Sequence, residues 1–398
     1  HTRIVGLMQV NQKWVNVDIV TPSGQLRKNL LITGDHITAI IDPDTPTSSD
    51  WKVIDGGGNI VFPGMIDLLQ HGFDLNFYTD QKAGCVANSS ELLPAFGVTG
   101  FLPSIMSMPP NEMPQTLSDL SRQCSEAQGA RAIGVHSEGP CFSLAGAHNP
   151  KNLLLPSVPL ADKMLEATLG KLKAVTIAPE LDGAEAFIKH MKKSNVSVHL
   201  GHSAALPDNV TRYVSWGIDA VTHMYDALPS MPPDGTGVQV FSLPDALIAE
   251  PNLALGLICD GIHAHPKLVK LLAQLPSDRL FLETDSVKYA GREGARFEPY
   301  PGYWVTSAKG NAVRDENGLL CGSSLTSHEA MLNYMSFSGK DLTRASIATS
   351  LVPAKVLGMD HEIGSIETGK LADFIILDTK TLSIKSTYVG GKLVYERN

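Results

Sequence analysis

The chain has 398 residues, of which 43% are hydrophobic and 18% charged, and its formal net charge is −9. An acidic chain without a basic cluster argues against a nucleic-acid surface, because such binding depends on neutralising phosphates. Five scattered cysteines without Cys-x-x-Cys spacing predict neither a disulfide framework nor a thiolate zinc site, and no apolar stretch reaches the roughly 20 residues that cross a bilayer. We therefore expect a protein of the reducing cytosol, with neither a membrane nor a nucleic acid as partner.

Short β segments occupy both ends of the chain. The candidates near the N-terminus are Trp14–Val20, Asn29–Thr33 and His36–Ile41. The candidates near the C-terminus are Ala372–Asp378, Ile384–Val389 and Lys392–Tyr395. Sheets this small are marginal on their own. We therefore predict one small β-sandwich domain built from both termini, residues 1–60 plus 362–398.

The region between them, residues 61–361, alternates apolar strand candidates with helical segments. The eight strand candidates are Asn59–Asp67, Gly97–Ile105, Ala132–His136, Ala174–Ala178, Val196–His202, Ala220–His223, Leu253–Cys259 and Leu280–Thr284. Apolar residues at three- and four-residue spacing predict helices at Leu160–Leu172, Gly183–Lys193, His265–Leu275, His328–Phe337 and Asp341–Leu357. Eight strand–helix repeats predict a (β/α)8 TIM barrel, which accounts for about 250 residues.

Polar side chains collect where the predicted strands end. Glu138 follows the third strand, and His202 and His223 end the fifth and sixth. The working side chains of such barrels lie at the C-terminal ends of the strands. One histidine there is more often a hydrogen-bonded core residue, but two histidines and a carboxylate suit a divalent metal. We predict Glu138, His202 and His223 as ligands of zinc or iron(II).

A metal site of this kind favours hydrolysis, because a divalent ion lowers the pKa of its water towards about 7. A general base is then needed, and Asp285 at the end of the last strand can face the metal across the barrel mouth. The competing interpretation of Asp285 is a helix cap, a common role for Asp before a loop. His136 or His263 could donate a hydrogen bond to the oxyanion.

Short motifs follow one another along nearly the whole chain. They are Pro63-Gly-Met-Ile-Asp67, Gly134-Val-His-Ser-Glu138-Gly-Pro, Gly146-Ala-His148-Asn-Pro150, Ala178-Pro-Glu180, Gly201-His202-Ser, Thr222-His223-Met-Tyr-Asp-Ala227, Asp260-Gly-Ile-His263, Thr284-Asp285, Gly322-Ser-Ser-Leu-Thr326 and Gly364-Ser-Ile-Glu-Thr-Gly-Lys-Leu-Ala-Asp-Phe374. This combination resembles the N-acetylglucosamine-6-phosphate deacetylases of the amidohydrolase superfamily.

The resemblance implies removal of the acetyl group from an N-acetylhexosamine, with N-acetylglucosamine 6-phosphate as the leading substrate, to give the amino sugar and acetate. It places Glu138, His202 and His223 on the metal ligands and Asp285 on the catalytic acid/base. The positions that it places at the substrate are His148, Asp226, Ala227 and His263. It also implies a homodimer in which the neighbouring subunit lends part of the site.

Two departures from the family pattern bear on metal and substrate. The superfamily often has His-x-His after strand one, which holds a second metal, whereas this chain has Leu69 and His71. We therefore predict one divalent ion per subunit, with His71 contacting its water. The family usually has Asn where Asp226 stands, and an Arg where Asp234 stands. Two carboxylates disfavour a phosphate dianion, so either another cation binds it or the substrate lacks it. The candidate cations are Lys288, Arg292 and Arg296.

Three alternatives therefore stay open. The first is a deacetylase of an unphosphorylated or different N-acetyl amino sugar, with the gluco and galacto epimers both as candidates. The second is another amide-hydrolysing amidohydrolase, which the loop Gly146–Pro150 disfavours. The third is a barrel without catalytic activity, which the presence of Asp285 beside all three expected ligands disfavours.

Overall fold

The computed structural model describes residues 11–230, 235–308 and 312–397. Its centre is a nearly closed barrel of parallel strands, which confirms the predicted fold class. The strands, numbered β1 to β8, are Met65–Gln70, Val98–Ile105, Val135–Glu138, Leu172–Ile177, Ser197–Leu200, Ala220–Val221, Ala254–Ile258 and Leu280–Glu283. Each strand pairs with the next along the chain. The carboxyl ends of all eight therefore meet at one mouth.

The barrel strands are apolar because both of their faces are buried. Side chains that point inward fill the barrel floor, and these include Ile66, Leu68, Leu102, Ala174, Ala220, Ala254 and Phe281. Outward-facing residues such as Val175 and Leu255 join the larger core beneath the surrounding helices. The floor of the barrel is therefore apolar, and the polar residues of the predicted site lie above it, at the mouth.

Helices cover the outside of the barrel. They are α1 Cys85–Leu92, α2 Met113–Cys124, α3 Val158–Thr168, α4 Ala184–Lys193, α5 Val210–Trp216, α6 Leu243–Ala249, α7 Pro266–Leu272, α8 Ser327–Ser338, α9 Leu342–Ser346 and α10 Val352–Val356. A π-helical turn, Ile347–Leu351, joins α9 to α10. Within the described ranges, no helix combines the length and apolar character needed to span a bilayer.

Two sheets lie outside the barrel and contain the terminal segments. The first has the strand order His36–Ile41, Asn29–Thr33, Asn11–Val15, Lys52–Asp55. The second has the order Lys392–Glu396, Ile384–Val389, Phe374–Leu377, Ile60–Pro63, Asp18–Thr21, Gly24–Arg27. Trp14 of the first sheet packs edge-on against Phe374 and Tyr388 of the second, with ring centroids 5.6 and 5.2 Å apart. The two sheets therefore share a core, while the domain division at residues 60/61 and 361/362 stays a prediction.

Several predicted boundaries were wrong where the backbone turns. The predicted strand Trp14–Val20 is two strands, because Asn16 has a φ of 54°. The predicted helix Leu160–Leu172 ends at Thr168, because Leu169 adopts a φ of 50° and Leu172 begins β4. A single residue with positive φ ends a strand or a helix without changing the spacing of the apolar residues around it. The sequence pattern therefore does not show where such an element ends.

A four-stranded antiparallel sheet after β8 was not predicted. Its strands are Arg296–Tyr300, Tyr303–Thr306, Ala312–Asp315 and Leu320–Ser323. The last strand lies next to the barrel mouth, where Ser323 donates its N–H to the carbonyl of Asp285 at 2.8 Å. This insertion therefore forms one wall of the mouth.

The barrel closes between β1 and β8 through a few specific hydrogen bonds. The N–H of Asp285 donates to the carbonyl of Leu69 at 2.9 Å. The carboxylate of Asp67 accepts the N–H of Thr284 at 3.1 Å and its hydroxyl at 2.6 Å. Asp67 therefore joins the first and last strands of the barrel.

Replacing Asp67 with alanine is expected to lower the free energy of unfolding by about 2–3 kcal/mol, because two buried donors on Thr284 lose their acceptor. Denaturant unfolding followed by circular dichroism measures this difference. The exposed Asp44 provides the control, since Asp44→Ala should change stability by no more than about 0.5 kcal/mol. Equal stability of the two variants would show that Asp67 does not hold the barrel closed.

Candidate metal centre and active site

Three polar side chains at the mouth lie on residues with an unusual backbone conformation. His202 after β5, His223 after β6 and Asp285 after β8 have φ values of 49°, 33° and 48°. Residues other than glycine seldom adopt positive φ, and such strain concentrates at functional sites. All three side chains line one cavity. The strand ends therefore bring these groups together at the cost of backbone strain.

The carboxylate of Glu138, at the end of β3, lies at the centre of four imidazoles. Its Oε1 is 2.9 Å from Nε2 of His223 and 3.3 Å from Nε2 of His202. Its Oε2 is 2.9 Å from Nε2 of His71 and 3.0 Å from Nε2 of His148. Burial alone raises the pKa of Glu138, but His148, His202 and His223 outweigh it and hold the pKa well below its usual value. The group therefore stays a carboxylate.

The second hydrogen bond of each imidazole indicates which nitrogen carries its proton. Nδ1 of His202 lies 2.9 Å from the carbonyl of Leu144, so the proton is on Nδ1 and Nε2 has a free lone pair. Nδ1 of His148 instead accepts the N–H of Ser107 at 3.0 Å. The proton of a neutral His148 is therefore on Nε2, where it donates to Glu138. His202 can ligate a metal, whereas His148 is a hydrogen-bond donor.

His71 bridges two carboxylates. Its Nδ1 lies 3.1 Å from the carbonyl of Ser104, and its Nε2 also lies 3.3 Å from Oδ1 of Asp285. Burial lowers the pKa of His71, but the hydrogen bonds to Asp285 and Glu138 outweigh burial and raise the pKa to about 10. The two acids therefore favour the protonated form of His71. Leu69 offers only its backbone carbonyl, which accepts the N–H of Asp285.

The cluster fits a divalent cation. Two groups of potential ligand atoms each lie within 4.8 Å of one another, and they are Glu138 with His148 and His202, and Glu138 with His71 and Asp285. Since the proton of His148 is on Nε2, His148 has no lone pair free for a metal beside Glu138. His223 belongs to neither of these two groups, but its Nε2 lies 2.9 Å from Oε1 of Glu138. Burial lowers the pKa of His223, but Glu138 outweighs it and raises the pKa well above its usual value.

Nε2 of His202 and Oε1 of Glu138 face each other with lone pairs 3.3 Å apart, and a proton or a metal ion between them would remove this repulsion. One carboxylate and two imidazoles form a donor set that suits zinc or iron(II). Nδ1 of His223 is buried and has no hydrogen-bond partner in the described part of the chain. The residues present therefore fit a metal held by Glu138, His202 and His223.

An aromatic residue that the sequence analysis missed packs against two of the imidazoles. The ring of Phe142 stacks on His202, with centroids 4.3 Å apart and an interplanar angle of 18°. It also meets the edge of His148 at 5.0 Å. Phe142 stands two residues after the motif Glu138-Gly-Pro140, and its closeness to that motif is the signal that the sequence offered. Its ring therefore covers one face of the His202 imidazole.

Most of the predicted site residues line a single cavity of about 200 Å³. They are Glu138, His202, His223, Asp285, His71, His148, Asp226 and Ala227. Apolar residues on the inserted sheet and its turn, including Leu319 and Leu320, form the opposite wall. The structure thus brings together residues that are up to 214 positions apart in the chain.

Three predicted residues have other positions. His263 is outside the cavity lining; its Nδ1 lies 2.7 Å from Asp260, and its buried Nε2 has no partner among the residues described. His136 lies deeper, with Nδ1 2.7 Å from the carbonyl of Leu68 and Nε2 2.8 Å from the hydroxyl of Thr176. His136 is therefore not placed to stabilise an oxyanion. Asp234 falls outside the described residues.

The three cations considered for phosphate binding are engaged elsewhere. Lys288 lies 3.6 Å from Asp80, and Arg292 lies 3.0 Å from Asp74. Arg296 pairs with Glu316. The charged side chains in the described lining of the cavity are carboxylates and histidines, without lysine or arginine. This distribution of charge is unfavourable for a phosphate dianion.

Comparisons with known proteins agree over nearly the whole chain. Residues 60–394 match the model of the Amidohydrolase family. The N-acetylglucosamine-6-phosphate deacetylase of Danio rerio is 31% identical over 86% of this chain and 86% of its own. The N-acetylgalactosamine-6-phosphate deacetylase of Escherichia coli O157:H7 is 29% identical over 94% and 97%. The crystal structure of N-acetylglucosamine-6-phosphate deacetylase from Pasteurella multocida superposes with a TM-score of 0.87, at 26% identity over 96% and 99%.

Proposed function

Since this chain belongs to the amidohydrolase family, we propose that it is a metal-dependent deacetylase of an N-acetylhexosamine, releasing acetate and the amino sugar. The observation that carries the proposal is the Glu138 cluster, in which four imidazoles and Asp285 surround one buried carboxylate at the barrel mouth. The names of the relatives support an acetylated amino sugar as the substrate.

Glu138, His202 and His223 would hold one divalent ion per subunit, either zinc or iron(II). When bound, such an ion acts as a Lewis acid towards the acetamide carbonyl and makes water more acidic. Only one ion is proposed, because Leu69 stands where a second metal would need a histidine and has no ligating atom in its side chain.

Asp285 is the proposed acid/base. Its carboxylate accepts a proton from the water that attacks the carbonyl carbon, and it returns the proton to the leaving nitrogen as the C–N bond breaks. His71 orients this carboxylate through its Nε2, 3.3 Å from Oδ1. His148, whose Nε2 donates to Glu138, lines the cavity and is a proposed contact of the substrate. Asp226 and Ala227, which line the cavity, complete the proposed contacts there. His263 lies outside the cavity lining, and only the family resemblance supports it as a substrate contact.

N-acetylglucosamine 6-phosphate is the leading substrate, because the relatives are named for 6-phosphates. A second candidate is the unphosphorylated sugar. It is favoured by Asp226, which lines the cavity and whose Oδ1 accepts the N–H of Ala227 at 3.0 Å. The ion pairs of Lys288 and Arg292 also favour it, since neither cation lines the cavity.

We further propose a homodimer in a reducing compartment. The described part of the loop after β6 presents Val238 and Phe241 with 69% and 50% exposure, and such apolar side chains suit a protein interface. Size-exclusion chromatography with light scattering distinguishes the dimer from a monomer.

The state of the cysteines supports the reducing compartment. All five cysteines are buried and free of disulfides.

Acetate release tests the proposed function. The zinc-loaded protein is assayed with N-acetylglucosamine, N-acetylgalactosamine and the 6-phosphate of each sugar. Preference for the phosphates supports the leading substrate, and preference for the neutral sugars supports the second candidate. Release of acetate from none of the four by a metal-loaded, folded protein would contradict the proposal.

Replacing Asp226 with asparagine is expected to raise kcat/KM for the 6-phosphate relative to the neutral sugar about tenfold, a change of about 1.4 kcal/mol. The reason is that the substitution removes a negative charge facing the sugar. Steady-state kinetics on both sugars give the ratio. Asp226→Glu, which keeps the charge, is the matched control and should leave the preference near the wild-type value. An unchanged ratio in Asp226→Asn would remove Asp226 from substrate discrimination.

A further inference from the structure

A second buried acidic side chain, that of Glu283, contacts the backbone of the cluster. It is the last residue of β8, two positions before Asp285, and is 1% exposed. Its Oε1 accepts the backbone N–H of His223 at 2.7 Å. A buried glutamate needs partners to be tolerated, and this partner belongs to a proposed metal ligand.

The backbone around His223 requires such support. The paired part of β6 ends at Val221, and His223 has a φ of 33°. Its N–H would lack a strand partner there, and a buried N–H without an acceptor is costly. The next N–H, of Met224, donates to the carbonyl of Gly256 at 2.7 Å. Glu283 and Gly256 together hold the turn that carries His223.

Gly256 also makes the space that Glu283 occupies. It lies within β7, where glycine is otherwise unfavourable. A Cβ at this position would lie 2.4 Å from Oε1 of Glu283 and 2.7 Å from the carbonyl of Val221. Both distances are far shorter than van der Waals contact. The position of the Glu283 carboxyl group therefore explains a glycine inside a barrel strand.

We propose that Glu283 is a positioning residue for the metal ligand His223, and that Gly256 is a glycine in order to admit its carboxyl group. Through the backbone N–H, Glu283 keeps the strained turn in the conformation that places Nε2 of His223 2.9 Å from Oε1 of Glu138. The inference rests on the proposed function only in taking His223 as a ligand.

The positioning role of Glu283 is tested by the zinc dissociation constant of the protein. This constant is measured by competition with a chromophoric chelator. Glu283→Leu removes the acceptor and is expected to weaken zinc binding about 10–100-fold, the range for partners that orient ligands. Glu283→Gln keeps a side-chain oxygen at the same place and should bind zinc within about threefold of wild type. Gly256→Ala should weaken binding in the same direction as Glu283→Leu, because its methyl group displaces the carboxyl.

Phe281→Leu is the matched control. Phe281 lies in the same strand and in the barrel floor, so its truncation should lower the melting temperature and leave zinc affinity unchanged. Wild-type affinity in Glu283→Leu, or equal weakening in Glu283→Gln and Glu283→Leu, would overturn the proposal. If Glu283→Leu does not fold, wild-type affinity in Gly256→Ala overturns it instead. Absence of zinc binding by the wild-type protein would contradict the proposed metal site itself. That outcome is distinct from the results on the Glu283 and Gly256 variants, which test only the positioning role.

Discussion

Replacing Asp285 with asparagine is expected to lower kcat by about 10²–10⁴-fold, the usual contribution of general acid–base catalysis. The amide has nearly the size of the carboxylate but does not accept the proton of the attacking water. Metal binding should persist, because Glu138, His202 and His223 are unchanged. We expect a large decrease in kcat because Asp285 lines the cavity and its carboxylate lies 3.3 Å from the imidazole of His71.

Steady-state acetate release and zinc content measured on the same sample distinguish the possible roles of Asp285. The exposed Asp44→Asn serves as a control and should behave as wild type in both measurements. Wild-type turnover in Asp285→Asn would exclude Asp285 as the acid/base. A sample that lost its zinc would instead make Asp285 a ligand, in line with its closeness to Glu138 and His71.

Replacing Glu138 with glutamine is expected to weaken zinc binding by more than the roughly 10–100-fold typical of groups that only orient ligands, and to abolish turnover. Glu138 is the one carboxylate in the proposed ligand set, and it contacts His71, His148, His202 and His223 at once. A neutral amide removes the negative charge that attracts the metal. Excess zinc should not restore the rate, because the arrangement of the imidazoles depends on the same carboxylate.

Chelator competition gives the zinc affinity of this variant, and circular dichroism verifies that the barrel is intact. Glu91→Gln, at an exposed position of α1, is the control for loss of a carboxylate and should leave zinc affinity unchanged. Wild-type zinc affinity in Glu138→Gln would show that the metal lies elsewhere in the protein.

The fold was predictable because each barrel strand leaves a local signal. A parallel strand buried on both faces is an apolar run of four to eight residues, and all eight runs overlap observed strands. The prediction failed at Asn16 and Leu169, where one residue with positive φ ends an element. It also missed the sheet of residues 296–323, whose short strands mix charged and aromatic residues.

Much of the candidate site was predictable for a topological reason. Glu138, His202, His223 and Asp285 each lie at or just after the end of a predicted strand, and the carboxyl ends of parallel strands meet at the mouth of a barrel. Their placement in one cavity therefore follows from the order of elements. The roles of these residues stay predictions that the variants above test.

By itself, the sequence determined the barrel and the set of residues at its mouth, because periodicity and strand order are local properties of the chain. Only the tertiary structure decided their chemical states. Ser107 makes His148 a donor, Leu144 leaves the Nε2 of His202 free, and Glu283 supports the backbone of His223. Each of these contacts joins residues at least 41 positions apart. Which ring nitrogen carries a proton depends on the hydrogen-bond partner that the fold brings beside it, and not on the residues adjacent in sequence.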